Sequence, residues 1–406
     1  MPKRTDEAWR FAHTSRLALE GYHSPSQDLK GLAEALPERS DWLSDYAGRI
    51  ILADNQTVGA PASSKAPEYA PALWAPLASV LSQPDALANS SFQERYLASQ
   101  PLPLGSQKFS TLHTALNDNG VVLHIPRGVV VEEPFIVYHW ACEPDQALFP
   151  QTLVIAEEGS QAQVIEVFLS ADPEAKAFVC AAATIYAGPG AKVHYQAIQS
   201  WNSVTRGMLL NRVHAERDAD VRTVNINLGA EYLRHEHQSE LLGSGSNVET
   251  YSLSMPIDNQ EFDQRTLQTH KAPNSRSDIL FKNVLFDEGR TIFSGLIRVE
   301  EGAQKVDAYQ TNRNLLLSKA AESNSLPGLE IKANDVKCSH GATSGYLDEK
   351  DIFYFLARGI PRSEAQELMA FGFFDEILTK LDGDSIIDKV SGLISDKLKR
   401  QRSLQN

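Results

Sequence analysis

The sequence has few of the features on which disulfide-bonded or self-contained metal proteins depend. Its 406 residues include only three cysteines, Cys142, Cys180 and Cys338, which are far apart and never form a CxxC pair. A disulfide framework and a zinc site built from this chain alone are therefore not expected. A metal centre that needs four protein ligands would have to take some of them from a second chain.

Basic charge and long apolar runs are also scarce. Lys and Arg number 38 against 52 Asp and Glu, so the net charge is −14 at pH 7 and a basic surface for nucleic acid is not expected. No run reaches the roughly 18 apolar residues of a membrane helix. The first 20 residues carry charges throughout and lack the apolar core of a secretion signal, so we expect a cytoplasmic protein.

Nucleotide and esterase motifs are missing as well. The sequence contains no GxxxxGK[ST] loop, no GxGxxG that follows a strand and opens a helix, and no GxSxG turn. These motifs place backbone N–H groups or a nucleophile where phosphate or acyl chemistry needs them. We therefore expect no nucleotide on this chain, and any ATP used by its system must bind another subunit.

Three segments differ in their patterns. Residues 1–118 are predicted to be mainly helical, with a start near Thr5, helical patches at 91–97 and 110–116, an extended piece at 49–53 and a proline-rich loop at 56–76. Residues 119–346 contain short β-branched or alternating runs separated by Gly, Asp, Asn and Ser, which is typical of strands and turns. Residues 347–406 are predicted to be helical again.

The C-terminal segment carries several helix signals. Asp348 is predicted to begin a helix that ends at Gly359. The pattern Ser363-Glu-Ala-Gln366 predicts a capping box that opens the next helix, and Gly372 is predicted to break it. A further helix is expected from Ser385 to Leu398.

Turns in the middle segment repeat at a nearly constant interval. Six strand-opening β-branched residues are 29, 28, 27, 31 and 27 residues apart: Val164, Val193, Val221, Val248, Ile279 and Val306. Such a period favours a parallel β-solenoid with two or three strands per coil. A β-sandwich with regular hairpins is the alternative, but the only Asn-Gly pair in the segment lies at its entry. Because the end coils of a solenoid lack neighbours, we expect the flanking helical segments to cap them or another solenoid to pair with them.

One short motif combines a thiol with an imidazole. Cys338 and His340 are two residues apart in a predicted strand, so both side chains point to the same face and Lys337 and Ser339 point to the other. A thiolate and an imidazole suit iron or zinc. Two ligands make half a site, and a buried Cys beside a hydrogen-bonded His is the structural alternative.

Other candidate residues have simple structural explanations. His235 and His237 also share a strand face, but no carboxylate or third His accompanies them at a spacing typical of catalytic zinc. His270 is predicted to be a turn or core residue with local hydrogen bonds. Cys142 and Cys180 are in apolar, strand-like settings and are predicted to be core residues.

Several ordered motifs resemble the SufB/SufD family of iron–sulfur cluster assembly proteins. They are Val284–Ile297, Asp307–Ser318, Pro327–Ile331, Asp335–Thr343 and Phe353–Ile360, preceded by Phe109–Leu116 and Gly120–Gly128 with Pro134. The Cys-Ser-His-Gly-Ala-Thr form in the fourth motif is similar to the SufD branch. His113 departs from the pattern, since the family often has Asn there.

The resemblance implies a fold, partners and a site. It implies a right-handed parallel β-helix flanked by helical domains, in a complex with a SufB-type subunit and the SufC-type ATPase. The cysteine and histidine at the SufB–SufD junction correspond to Cys338 and His340, where a transient iron–sulfur cluster or iron would be shared with the partner. ATPase binding is implied around Phe355, Arg358, Gly359 and Ile360.

The sequence alone leaves alternatives to this scaffold role open. The chain alone could form a homodimer. A β-helix enzyme that acts on carbohydrate and a zinc hydrolase that uses His235 and His237 are the competing functions. The hypothesis that the chain is a scaffold subunit predicts that it is not a free-standing enzyme.

Overall fold

The middle of the chain coils into a parallel β-solenoid. The computed structural model describes residues 2–3, 5–25, 32–63, 72–82, 96–97 and 103–405. Successive strands alternate between two facing sheets, so that each coil adds one strand to each sheet and neighbouring coils pair in parallel. The predicted parallel β-helix is therefore confirmed, with two strands in each coil.

The first sheet contains ten strands. Its order is β2 (Gln56–Thr57), β1 (Gly48–Ala53), β5 (Phe135–Ala141), β8 (Gln161–Ser170), β10 (Lys192–Ser200), β12 (Asp220–Asn227), β14 (Asn247–Ser254), β16 (Arg276–Leu285), β18 (Val306–Leu316) and β20 (Val336–Tyr346). The short strand β2 pairs antiparallel with β1 and covers the N-terminal edge.

The second sheet faces the first across the solenoid interior. Its order is β19 (Glu322–Ile331), β17 (Arg290–Val299), β15 (Glu261–His270), β13 (Tyr232–Leu241), β11 (Arg206–Ala215), β9 (Ala177–Ala187), β7 (Gln151–Ala156), β4 (Gly120–Ile125) and β3 (Leu73–Pro76), and β6 (Gln146–Leu148) pairs with β9. Here β3 pairs antiparallel with β4, so this sheet is also covered at its N-terminal edge.

The repeated turns of the sequence form one stacked corner of the solenoid. Each turn contains a residue with positive φ whose N–H donates to a carbonyl in the turn of the next coil. These residues are Gly159, Gly190, Asp218, Gly245, Asn274 and Lys305. Gly, Asn and Asp tolerate this left-handed backbone best, which explains the turn composition that revealed the repeat.

The β-branched residues after these turns point into the core. Val193, Val221 and Val248 lie directly opposite one another in β10, β12 and β14. Val164, Ile279 and Val306 are offset from this row by two residues, which keeps them on the same face. All six side chains are buried.

The N-terminal segment packs mainly on the outer face of the second sheet, while Leu36 of its first helix joins the outer cluster of the first sheet. Within the described residues it contains 3-10 turns at Glu7–Trp9 and Thr14–Leu17 and helices α1 (Leu32–Arg39), α2 (Leu77–Leu81) and α3 (Gln107–Leu116). Trp9 and Leu17 are buried in a cluster with Phe178 and Met208 of the sheet. The extended piece predicted at 49–53 is β1, and the segment predicted as a loop carries β2 and β3 at its ends. The patch predicted at 91–97 lies mainly outside the described residues.

The C-terminal helices are α4 (Glu349–Leu356), α5 (Arg362–Leu378) and α6 (Asp384–Gln405). Asp348 caps α4 by accepting a hydrogen bond from the Lys350 N–H, and Gly359 has φ +79°, as predicted. The capping-box prediction is wrong, because α5 begins at Arg362 after Pro361 without a side-chain cap. Gly372 does not break α5. A helical glycine costs only about 1 kcal/mol, which the burial of Phe374 offsets.

The flanking segments cover outer faces of the solenoid. Phe374 and Ile377 of α5 and Val390 of α6 join the cluster formed by outward-facing residues of the first sheet. The helical segments therefore lie on the outer sheet faces and not over the ends of the solenoid, where they were predicted. An amphipathic helix buries more apolar area against a sheet face than against a sheet edge. No helix among the described residues is long and apolar enough to cross a membrane.

Candidate functional site

The C-terminal end of the solenoid is open. In the described part of the chain, β20 pairs with β18 on one side and with no strand on the other, and β19 likewise pairs only with β17. Every residue of β19 and β20 is exposed or half-buried, whereas β18 alternates between buried and exposed positions. The last coil therefore presents unpaired backbone groups together with the side chains that would otherwise line a core.

Cys338 points into the solenoid at this open end. It lies opposite the buried Ala308 and packs against an apolar cluster that includes Val306 and Ala333. Burial raises the pKa of the Cys338 thiol, and the nearby Asp307 carboxylate raises it further, while the Ala308 N–H partly offsets both. The thiol is thus protonated at neutral pH, and a bound metal ion would displace the proton.

His340 shares the face of Cys338 and lies two residues further along β20. It is opposite the buried Gln310, and its ring is exposed. No hydrogen bond or ion pair joins the ring to another residue in the described ranges, so both ring nitrogens are accessible. Lys337 and Ser339 point away from the interior, and the predicted sharing of one face by Cys338 and His340 is therefore confirmed.

The two side chains do not complete a metal site by themselves. Among the described residues, no group of three or more His, Cys, Asp or Glu side chains is arranged to hold a metal ion. A thiolate and an imidazole fit iron in donor chemistry, but a cluster usually takes four protein ligands. The remaining ligands would have to come from a chain that covers the open end.

The histidine pair on β13 has a different environment from Cys338 and His340. His235 and His237 of β13 are buried inside the solenoid, with ring centroids 6.2 Å apart. Burial lowers their pKa values to about 4 and about 3, and His237 is lowered further by His235. Their ring nitrogens contact Asn211, Ser239 and Thr250. Both side chains are 1% exposed, which disfavours the open, substrate-accessible position of a catalytic zinc site.

The other single candidates are structural. The His270 ring contacts the hydroxyls of Ser275 at 2.8 Å and Ser277 at 2.9 Å, which confirms its local hydrogen bonds. Cys142 and Cys180 are buried, and burial raises both thiol pKa values, that of Cys142 to about 12. His113 in α3 is buried, and its Nε2 lies 3.0 Å from the Pro150 carbonyl oxygen. None of these residues lies on β20 or on β18, the strand that pairs with it.

A second exposed surface lies on α4, directly after β20. Ile352 is buried, but Phe353 and Tyr354 are 69% and 55% exposed and Leu356 is 45% exposed. Of the residues predicted to bind an ATPase, Phe355 and Ile360 are half-buried and Arg358 and Gly359 are exposed. The Arg358 guanidinium stacks 3.5 Å above the centre of the Tyr354 ring.

Sequence reasoning did not single out Tyr354 or the exposed Tyr346 at the end of β20. A signal was present, because the five consecutive apolar residues 352–356 encircle a helix that packs on one side only. A cavity of about 560 Å³ lies between the last coil and the C-terminal helices. It is lined by Leu316 and Tyr346 of the solenoid and by Glu349 and Arg362 of the helices. The C-terminal end of β20 therefore adjoins the start of α4.

The sequence is similar to known iron–sulfur cluster assembly proteins. Residues 139–373, more than half of the chain, match the family model described as SUF system FeS cluster assembly, SufBD core domain. The iron-sulfur cluster assembly protein SufD of Escherichia coli (strain K12) is 34% identical over 278 residues, which cover 68% of this chain and 63% of that protein. The SufD protein of Bacillus subtilis (strain 168) is 28% identical over 312 residues, which cover 77% and 71%. An iron-sulfur cluster assembly SufBD family protein of Staphylococcus epidermidis (strain ATCC 12228 / FDA PCI 1200) is 25% identical over 293 residues, which cover 72% and 63%.

The matched region contains most of the solenoid, the strand that carries Cys338 and His340, and the exposed helix α4. The motifs quoted from the sequence fall mainly within it. The chain therefore belongs to the SufB/SufD family of iron–sulfur cluster assembly proteins and is most similar to its SufD members.

Proposed function

We propose that the chain is a scaffold subunit of a SUF-type complex that assembles iron–sulfur clusters, and that it is not an enzyme on its own. One observation carries the proposal: the unpaired last coil presents Cys338 and His340 side by side on its inward face. The family and its SufD members support the same role, since their names describe cluster assembly.

The open end is the proposed surface for a SufB-type partner. Exposed edge strands are prone to pair with other chains, and proteins usually cover or charge them. Here the N-terminal edges are covered by β2 and β3, while β19 and β20 are left bare among the described residues. A second solenoid of the same family would continue both sheets and bury the half-exposed residues of the last coil.

The junction is the proposed place where a nascent cluster forms. Cys338 and His340 supply two ligands, and the partner supplies the others, so a cluster is held only while the two subunits are joined. The raised pKa of the Cys338 thiol keeps it protonated in the free subunit, which limits reaction before iron and sulfide arrive.

The exposed face of α4 and the turn after it are proposed to bind the SufC-type ATPase. Phe353, Tyr354 and Leu356 form an apolar patch beside the basic Arg358. Aromatic and Arg side chains are the residue types that dominate binding energy at interfaces. Closure of two ATPase subunits on ATP would pull on α4, which follows β20 directly, and would shift the junction between its conformations.

Pairing at the open end can be tested with two lysine variants of β20. Ala342 points toward the interior and Thr343 points outward, as their ladder partners Asn312 and Arg313 are buried and exposed. Ala342→Lys should leave the single subunit folded but block a second solenoid, whereas Thr343→Lys should allow pairing. The measurement is size exclusion with mass determination after coexpression with a SufB-type subunit. A stable heterodimer with Ala342→Lys would show that the pair forms elsewhere.

The cluster site can be tested in the complete complex. Cys338→Ala combined with His340→Ala should abolish the absorbance of a newly assembled cluster, and Ser339→Ala, which alters the outward face, should not. Subunit composition is measured on the same samples. Full cluster yield from the double variant in an intact complex would refute the site assignment.

ATPase binding can be tested with point variants that spare the core. Deletion of the C-terminal helices would also expose the face that Phe374 covers, so it cannot separate binding from folding. Phe353→Ser combined with Tyr354→Ser should prevent co-elution of the ATPase. Leu368→Ser on α5, which replaces a side chain that is 51% exposed, serves as the matched control. Unchanged co-elution of the double variant would exclude this face.

A further inference from the structure

A glutamine lies directly beneath His340. Gln310 of β18 occupies the ladder position between Ile279 of β16 and His340 of β20, and its side chain points into the solenoid. It is 1% exposed. In a parallel ladder neighbouring strands are about 4.8 Å apart, so the Gln310 and His340 side chains are adjacent on the same face of the first sheet.

The amide of Gln310 is only half satisfied. Its Nε2 donates to the Gly295 carbonyl oxygen across the interior at 3.3 Å, which fixes the amide in the plane between the sheets. The Oε1 atom has no hydrogen-bond partner among the described residues. A buried acceptor without a donor is unfavourable, so a polar group nearby is expected to serve it.

The neighbours limit what that donor can be. Ile279, on the inner side, is apolar. The Thr266 hydroxyl is close and is also without a partner in the described part of the chain, since a Cβ on Gly295 would lie 2.8 Å from its Oγ1 and 2.3 Å from Gln310 Oε1. On the outer side, His340 has a ring N–H with no partner in the ranges that the structure describes.

We propose that Gln310 is a positioning residue for His340: its Oε1 accepts a hydrogen bond from one ring N–H and leaves the other ring nitrogen, as a free lone pair, directed to the open end. The inference rests on the proposed role of His340 as a ligand. Metal-binding histidines generally donate their second N–H to an oxygen acceptor, which fixes both tautomer and ring orientation. Gly295 makes room for this amide, because a side chain there would fill the space that Oε1 occupies.

The test reads the tautomer of His340 in the full chain without metal. ¹⁵N-histidine-labelled protein is examined by long-range ¹H–¹⁵N spectra at pH 8, and the His340 signals are assigned from a His340→Gln variant. Wild type should show one dominant tautomer. Gln310→Met, which keeps the length but removes the acceptor, should shift both ring nitrogens toward averaged positions, and Gln310→Glu should retain the single tautomer.

A matched control lies deeper in the same interior. Gln268 of β15 is also buried with an unpartnered Oε1, but it is two ladder steps from the last coil. Gln268→Met should leave the His340 signals unchanged. Averaged nitrogens in wild type, or identical spectra for wild type and Gln310→Met, would overturn the inference.

Cluster assembly in the complex separates this inference from the proposed function. If Gln310→Met alters the tautomer, cluster yield or iron affinity should fall about 10- to 100-fold, as for other groups that orient a ligand. If the tautomer changes but the Cys338→Ala/His340→Ala complex still assembles clusters, the proposed site fails while the hydrogen bond stands. If that double variant abolishes assembly and the tautomer is insensitive to Gln310, the hydrogen bond alone is refuted.

Discussion

Removal of one buried guanidinium should loosen the part of the N-terminal segment around Ala8 from the solenoid. Arg234 of β13 is fully buried, and its Nε lies 2.6 Å from Glu236 Oε1 while its Nη1 binds the buried Asp263. Its Nη2 donates to the carbonyl oxygens of Ala8 at 3.0 Å and Leu104 at 2.8 Å. Arg234 thus joins the sheet to two pieces of the N-terminal segment.

The magnitude follows from what Arg234→Met would leave behind. Breaking a buried ion pair from one side costs about 3–5 kcal/mol because the other charge stays buried and unpaired. Asp263 would keep Arg265 at 2.6 Å, and Glu236 would keep the Ser106 hydroxyl at 2.6 Å. We therefore expect a loss near the lower end, about 3 kcal/mol in the free energy of unfolding.

The assay is urea unfolding combined with limited proteolysis under native conditions. Arg234→Met should lower the midpoint and expose the segment around Ala8 to cleavage before the solenoid unfolds. Arg206→Met is the control, since its pair with Glu231 at 3.0 Å is partly exposed and should contribute only about 0–1 kcal/mol. Equal midpoints and equal cleavage for the two variants would refute the reasoning.

Three further perturbations have defined outcomes. Burial raises the pKa of Asp54 from 3.8 to about 6, so between these pH values the folded protein holds a proton that the unfolded chain releases. The free energy of unfolding should therefore fall as the pH rises through this range, and Asp54→Asn should make it less dependent on pH in urea titrations. An unchanged pH dependence in the variant would contradict the raised pKa. Phe374→Ala should cost about 3–5 kcal/mol and loosen α5 and α6 in hydrogen exchange, while Leu368→Ala should cost under about 0.5 kcal/mol; equal effects would show that α5 does not depend on this contact. Gly295→Ala places a Cβ 2.3 Å from a buried amide oxygen and should lower thermal stability by about 1–3 kcal/mol, whereas Gly341→Ala meets nothing within 4 Å and should be neutral.

Local patterns carried much of the architecture. The turn repeat is readable because each corner needs a left-handed residue, which restricts composition at positions such as Gly190 and Asn274. Cys338 and His340 could be placed on one face because strand alternation is strictly local. The helix start at Asp348 was predictable for the same reason, since capping involves neighbouring residues only.

One prediction failed, and two other features were not predicted, where long-range packing decided the outcome. Gly372 breaks no helix, because contacts between α5 and the first sheet outweigh a local propensity. The buried state of His235 and His237 depends on the opposite sheet. The exposure of Phe353 and Tyr354 depends on α4 having packed on one side only.

The sequence by itself determined the period of the coil, the inward face of each strand and the side-by-side placement of Cys338 and His340, because these follow from backbone geometry over a few residues. Only the tertiary structure decided that the flanking segments lie on the outer faces of the sheets and that, among the described residues, β19 and β20 have no further strand beside them. It also decided that Gln310 lies opposite His340 on the neighbouring coil. These features join residues about 30 positions or more apart, and their energies come from burial and register, which no local pattern encodes.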